Sequence, residues 1–183
     1  MNTIVLAGGR SRRFGGNKLK ARIDQKTILE LLIGYLPKSK IIVVGEETEL
    51  ANICVREEPL FGGPLAGILT AMPYVDSELV AIIAGDMPFA PLLIEQLIPS
   101  LTKDGVLPID SEGMPQPLAA IYKSSALNDA FEKNPDVQNK SIKSLMDELD
   151  LDFVKIDRQE LLFDIDTPED LSKAIALNES LPK

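Results

Sequence analysis

The stretch Leu6-Ala-Gly-Gly-Arg-Ser-Arg-Arg-Phe-Gly-Gly-Asn-Lys18 sets paired glycines among arginines and closes on a lysine. Glycine lets main-chain N–H groups approach a ligand and accepts positive φ. Such amides beside Arg and Lys suit a polyphosphate. Residues 1–22 hold Arg10, Arg12, Arg13, Lys18, Lys20 and Arg22 and no acid, in a chain whose net charge is −9. A solvated surface loop is the alternative. A P-loop is excluded, because Lys18 follows Asn17 and precedes Leu19 instead of standing between Gly and Ser or Thr. No Gly-x-Gly-x-x-Gly fingerprint fits the loop either.

Two acidic stretches could face this loop. Gly85-Asp86-Met87-Pro88 follows the clearest strand of the chain. A carboxylate there is placed for a hard divalent cation, since magnesium takes oxygen ligands from one or two carboxylates and from substrate phosphates. Asp86 could equally cap a turn. Asp164 and Asp166 are two residues apart, so in an extended segment they point the same way. They could complete a metal site or meet a cationic group, whereas Glu169 and Asp170 suit the start of a helix. Gly62-Gly63-Pro64-Leu65-Ala66-Gly67 offers small residues and free amides where a helix opens, fit either for a flat base or for tight packing on a sheet.

Elements that must position these residues can be read from apolar periodicity. Buried strands are expected over residues 2–7, 40–44 and 78–84, a short one over 52–56, and further strands over 105–109, 117–123 and 152–157. Helices are expected over 27–35, 65–72, 91–101, 124–133, 141–149 and 167–178, the last with Thr167 as cap and Pro168 at its first position. The early strands are continuous apolar runs, which belong to sheets covered on both faces. The expected architecture is a single domain, residues 1–183, folded as a three-layer α/β/α sandwich around a mainly parallel, mixed sheet. Ligands of such sheets sit beyond the carboxyl ends of the strands, where strand order reverses.

Composition narrows the chemistry. The 183 residues include no His, so histidine dyads, His-ligated zinc and histidine acid–base catalysis are out. The single Cys54 excludes an internal disulfide and a multi-thiolate metal site. The acidic balance argues against general affinity for nucleic acid or anionic membrane. No secretory leader or spanning segment is visible in the sequence, and a cytoplasmic protein is expected.

In this order the segments resemble the molybdenum cofactor guanylyltransferase family, nucleotidyltransferases with a Rossmann-like, sugar-nucleotide pyrophosphorylase fold. The resemblance is carried by the Leu6–Lys18 loop, Gly63-Pro-Leu-Ala-Gly67, Asp86-x-Pro88, Gln116-Pro-Leu118 and Asp166-Thr-Pro-Glu-Asp-Leu171. It implies GTP as donor, Mg²⁺ as metal and the terminal phosphate of molybdopterin as acceptor. It places Leu6, Ala7 and Gly8 against guanine and ribose, with Gly9, Gly63, Pro64 and Leu65 also at the nucleotide. Arg13 and Lys18 would hold the triphosphate and Asp86 the magnesium. Gln116, Asp164 and Asp166 would face the acceptor. Gly8 after Ala7 favours guanine, since the related cytidylyltransferases usually show Leu-Ala-Ala-Gly. Three departures stand out: Gly45-Glu46 where many members have Asn, Glu57 or Glu58 where many have a base-contacting Asp, and Asp164 and Asp166 where Asn is frequent. Transferases using another nucleotide or acceptor, and a non-catalytic nucleotide-binding regulator, are the alternatives.

Overall fold

Short apolar runs rich in Ile and Val become strands, and the segments between them become helices that cover both faces. The structure, a computed structural model, describes residues 1–8, 14, 18–57, 62–137 and 140–181. Gly9, Arg13 and Glu58 lie outside the described residues. The strands are β1 (Asn2–Leu6), β2 (Arg22–Ile23), β3 (Lys26–Thr27), β4 (Ile41–Val44), β5 (Ile53–Val55), β6 (Leu79–Ala84), β7 (Gly105–Ile109), β8 (Ala119–Lys123) and β9 (Leu151–Lys155). The helices are α1 (Ile28–Tyr35), α2 (Pro64–Ala71), α3 (Ile94–Leu97), α4 (Ser124–Lys133), α5 (Ile142–Met146) and α6 (Pro168–Ser180).

Seven strands form one sheet in the order β5-β4-β1-β6-β8-β7-β9. β1 pairs in parallel with β4 and β6, β4 with β5, and β7 with β9, whereas β8 runs antiparallel to both its neighbours. The chain leaves β1 for β4 and β5 on one side and returns to β6 on the other. Strand order therefore reverses between β1 and β6, where a crevice opens at the carboxyl ends of the strands.

Strand alternation feeds two cores. Val5, Val43, Ala81 and Ile83 face α1, α3 and α6. Ile4, Ile42, Val80 and Ile82 face α2, α4 and α5. All eight are at most 1% exposed, so β1, β4 and β6 form the rigid centre of the sandwich. Each Val and Ile among them contributes about 1.5–3 kcal/mol by leaving water.

One expected helix is broken. Instead of a continuous helix over 91–101, Ala90–Leu93 and Ile98–Ser100 are 3₁₀ turns flanking the one-turn α3. Pro99 has no N–H and clashes with the preceding turn, which stops α-helical hydrogen bonding there. The helix expected over 141–149 shortens to α5. The sequence showed no period for the two-residue hairpin β2–β3, which turns through Asp24 at φ 54°.

Candidate active site

Strands β1 and β6 end side by side, with Leu6 paired to Ala84. Beyond them the loops pack main chain to main chain. Gly85 N–H donates to Leu6 O at 2.9 Å, and a Cβ at Gly85 would lie 3.0 Å from that oxygen and 3.2 Å from Ala7 Cα. After β4, a Cβ on Gly45 would lie 2.9 Å from the carbonyl carbon and oxygen of Ala7. Glycine at both places lets three strand ends close around Ala7. The Gly45 that departs from the family pattern thus has a packing reason. Leu19 lies 3.3 Å from the same Gly85 position and seats a 3₁₀ turn, Lys18–Lys20, against the end of β6.

That turn delivers Lys18 to two carboxylates. Its Nζ donates to Asp86 Oδ2 at 2.6 Å and to Asp166 Oδ1 at 2.8 Å. Lys18 is 15% exposed, Asp86 26% and Asp166 41%. The carboxylates are brought together by main chain: Ile165 N–H donates to Asp86 O at 3.0 Å, and Ile165 is fully buried. Behind Asp166 a capping box opens α6, with Thr167 Oγ1 accepting from Asp170 N–H while Asp170 accepts from Thr167 N–H. The side chain of Asp86 therefore serves the ion pair and not a cap.

Burial works against the charge on Lys18, yet the hydrogen bonds and negative charge of Asp166 and Asp86 outweigh it and hold the ammonium pKa above the usual lysine value. Asp164 projects on the exposed side of the same segment. Partial loss of water around it, followed by the charges of Asp166 and Asp86, raises its carboxyl above the ordinary aspartate range.

Next to this cluster, and sharing Asp86 with it, lies a cleft of ≈ 330 Å³. Leu6, Val44, Ala84 and Leu118 wall it, Gly8, Gly63, Pro64 and Gly67 line it, and Glu57 enters from the end of β5. Glu57 Oε1 stands 3.6 Å and Oε2 3.8 Å from the positions that a Cβ would take on Gly8 and Gly67. Gly63, at φ 91°, caps α2 in a conformation that other residues rarely adopt, and Pro64 opens the helix.

Leu6, Gly8, Glu57, Gly63, Pro64 and Asp86 thus share one cleft, with Lys18 and Asp166 at Asp86 beside it. Ala7 lines a different depression, and Leu65 is 2% exposed within the core. Gln116 does not reach the cluster: its Nε2 donates to Asp110 Oδ2 at 2.7 Å in the turn between β7 and β8. Val44 and Ala84 were not singled out from sequence, and Leu118 entered only as the end of the Gln116-Pro-Leu118 motif. The first two could have been found as last residues of parallel strands.

Among the described residues, no three His, Cys, Asp or Glu side chains gather as a metal site, and no helix is long and apolar enough to cross a membrane. The MobA-like NTP transferase domain model matches residues 3–152. A probable molybdenum cofactor guanylyltransferase of Thermococcus kodakarensis is 33% identical, over 94% of this chain and 93% of its own. A crystal structure of molybdopterin-guanine dinucleotide biosynthesis protein A from Archaeoglobus fulgidus superposes with a TM-score of 0.77 at 24% identity, over 99% of this chain and 100% of that one. The 2-C-methyl-D-erythritol 4-phosphate cytidylyltransferase of Thermus thermophilus shares the fold at a TM-score of 0.71 and 14% identity, over 97% and 98% of the two chains.

Proposed function

The chain belongs to the MobA-like NTP transferase family and is a nucleotidyltransferase; from that premise we propose that it transfers GMP from GTP to the terminal phosphate of molybdopterin. The observation that carries this reading is the Lys18–Asp86–Asp166 cluster at the edge of a small-residue cleft that also holds Glu57. The cleft supports a flat base against Gly8 and Gly67. Guanine offers a ring N–H and an amino group on one edge, and a carboxylate at Glu57 can accept from both.

An oxygen of the acceptor phosphate attacks the α-phosphorus of the nucleotide in line. The bond from that phosphorus to the bridging oxygen breaks, and pyrophosphate leaves with the electron pair. No general base is required, because a phosphate monoester has a second pKa of about 6 and is largely dianionic at neutral pH. The absence of His is therefore no obstacle. Catalysis then rests on positioning and charge neutralisation. Lys18 stabilises charge growing on the α-phosphate. Arg13, by the sequence pattern, anchors the departing pyrophosphate. The acceptor lies toward the β7–β8 turn and the 164–166 segment, where Gln116, Asp164 and Asp166 stand.

Two carboxylate oxygens that converge on one ammonium are a donor set a hard cation can use. Asp86 with Asp166 would hold Mg²⁺. When bound, that ion neutralises phosphate charge and polarises phosphoryl oxygens. The test is pyrophosphate release with purified acceptor and GTP, CTP or ATP in Mg²⁺. Turnover with GTP well above the other two is expected. Equal use of CTP removes the base assignment, and no release with any of them removes the transfer reaction.

A further inference from the structure

Lys18 occupies the place between Asp86 and Asp166 that a divalent cation would need. Its ammonium is 2.6 Å from one carboxylate oxygen and 2.8 Å from the other, and 15% of the side chain is exposed. The convergence of the carboxylates is anchored by the main-chain bond from Ile165 to Asp86 and by the Thr167–Asp170 capping box. Neither anchor involves the ammonium, so the main-chain framework that brings Asp86 and Asp166 together does not depend on Lys18. The chain of four methylenes that carries the charge is flexible, and its three donors can turn to another anion.

Electrostatics show why exchange is favourable only with a partner. The ammonium sits between two carboxylates, and Asp164 close by adds to the negative potential. A divalent ion is attracted to that potential but repelled by the ammonium already at its centre. A triphosphate changes the balance by offering Lys18 other oxygens.

We infer that Lys18 is the resident cation of the Asp86–Asp166 pair and keeps a divalent ion out of it until a triphosphate draws the ammonium away. Metal and nucleotide are then taken up together, and metal alone is excluded. The inference rests on the metal role given to Asp86 above and adds an order of binding to it.

The test is Mn²⁺ binding to the nucleotide-free protein, read from the electron paramagnetic resonance of the free ion. Lys18→Met is expected to tighten binding roughly tenfold or more, because the positive charge seated between the two carboxylates is removed. Adding Asp86→Asn to that variant should abolish the gain. Equal Mn²⁺ affinity with and without the ammonium overturns the exclusion. So does a gain that survives Asp86→Asn, which would place the ion elsewhere.

A second measurement uses the unaltered chain and decides the matter if the variant fails to fold. The ¹⁵N resonance of the Lys18 ammonium should stay in place with millimolar Mg²⁺ alone and shift when a non-hydrolysable GTP analogue is added with it. A shift with Mg²⁺ alone, or none with both, overturns the inference. Failure of the metal role is a separate result: Asp86→Asn would then leave Mn²⁺ affinity unchanged in the nucleotide complex, and the exclusion would fall with it.

Discussion

The cleft below Gly8 and the cluster around Lys18 share Asp86 but are made in opposite ways. The cleft is a shape, produced by strand-end side chains and by glycines whose missing Cβ atoms leave room. The cluster is a charge balance, produced by side chains from three distant parts of the chain that the main chain brings to one point. Shape is sensitive to an added methyl. Charge is sensitive to a single proton or ion and tolerant of small changes in volume. In the transfer proposed above, the first would select what binds and the second would determine what happens to it.

Breaking the charge side should cost most in rate and least in folding. Asp86→Ala is expected to lower turnover by about 10³-fold or more while thermal unfolding stays close to that of the parent, since the loss is one of transition-state stabilisation. Near-native pyrophosphate release in saturating Mg²⁺ would end its assignment as a metal ligand. Lys18→Ala should reduce kcat by roughly 10²- to 10³-fold. An effect confined to KM would make Lys18 an anchor.

The shape side should break in selectivity and stability. Glu57→Gln is expected to cut the preference for GTP over other nucleotides by roughly 10- to 100-fold, the size of a lost hydrogen bond to a charged group. Competition between GTP and CTP measures it. Gly45→Ala forces a methyl against the carbonyl of Ala7 and should destabilise the fold by about 1–3 kcal/mol in denaturant titration. The smallest change, Thr167→Ala, removes the cap behind Asp166 and should cost about 1 kcal/mol.

Alkali separates the two sides again. The pKa of Lys18 is raised in the folded state, so its contribution to stability is complete below the ordinary lysine value and fades as pH rises through the folded value. Asp166→Asn removes one of the charges that raise it and should start that alkaline loss at lower pH. Unchanged pH dependence of unfolding would show that Asp166 does not hold the ammonium.

The central strands and the place of Asp86 at the end of β6 were legible in the sequence because each has a local cause. Ile4-Val5, Ile42-Val43 and Ile82-Ile83 are apolar on both faces, as a doubly covered sheet demands. Asp86 could be singled out because ligands gather where parallel strands end. The break at Pro99 was open to reading, since proline inside a helical pattern ends it, yet the apolar spacing over 91–101 carried the expected helix through it. The meeting of Lys18 with Asp166 was not, because 148 residues separate them and Ile165, an ordinary core residue, supplies the link to Asp86. Likewise, the hold of Asp110 on Gln116 depends on the geometry of one turn.

Because β8 alone opposes its neighbours in the seven-stranded sheet, the chain exits β7 and enters β8 on the same rim that carries Asp86. Residues 110–118 thus overhang that rim as a loop whose two stems are clamped in the sheet, with Leu118 O accepting from Ala84 N–H. A segment anchored at both ends can be lengthened, shortened or replaced without disturbing the strand ends that carry Ala84 and Asp86.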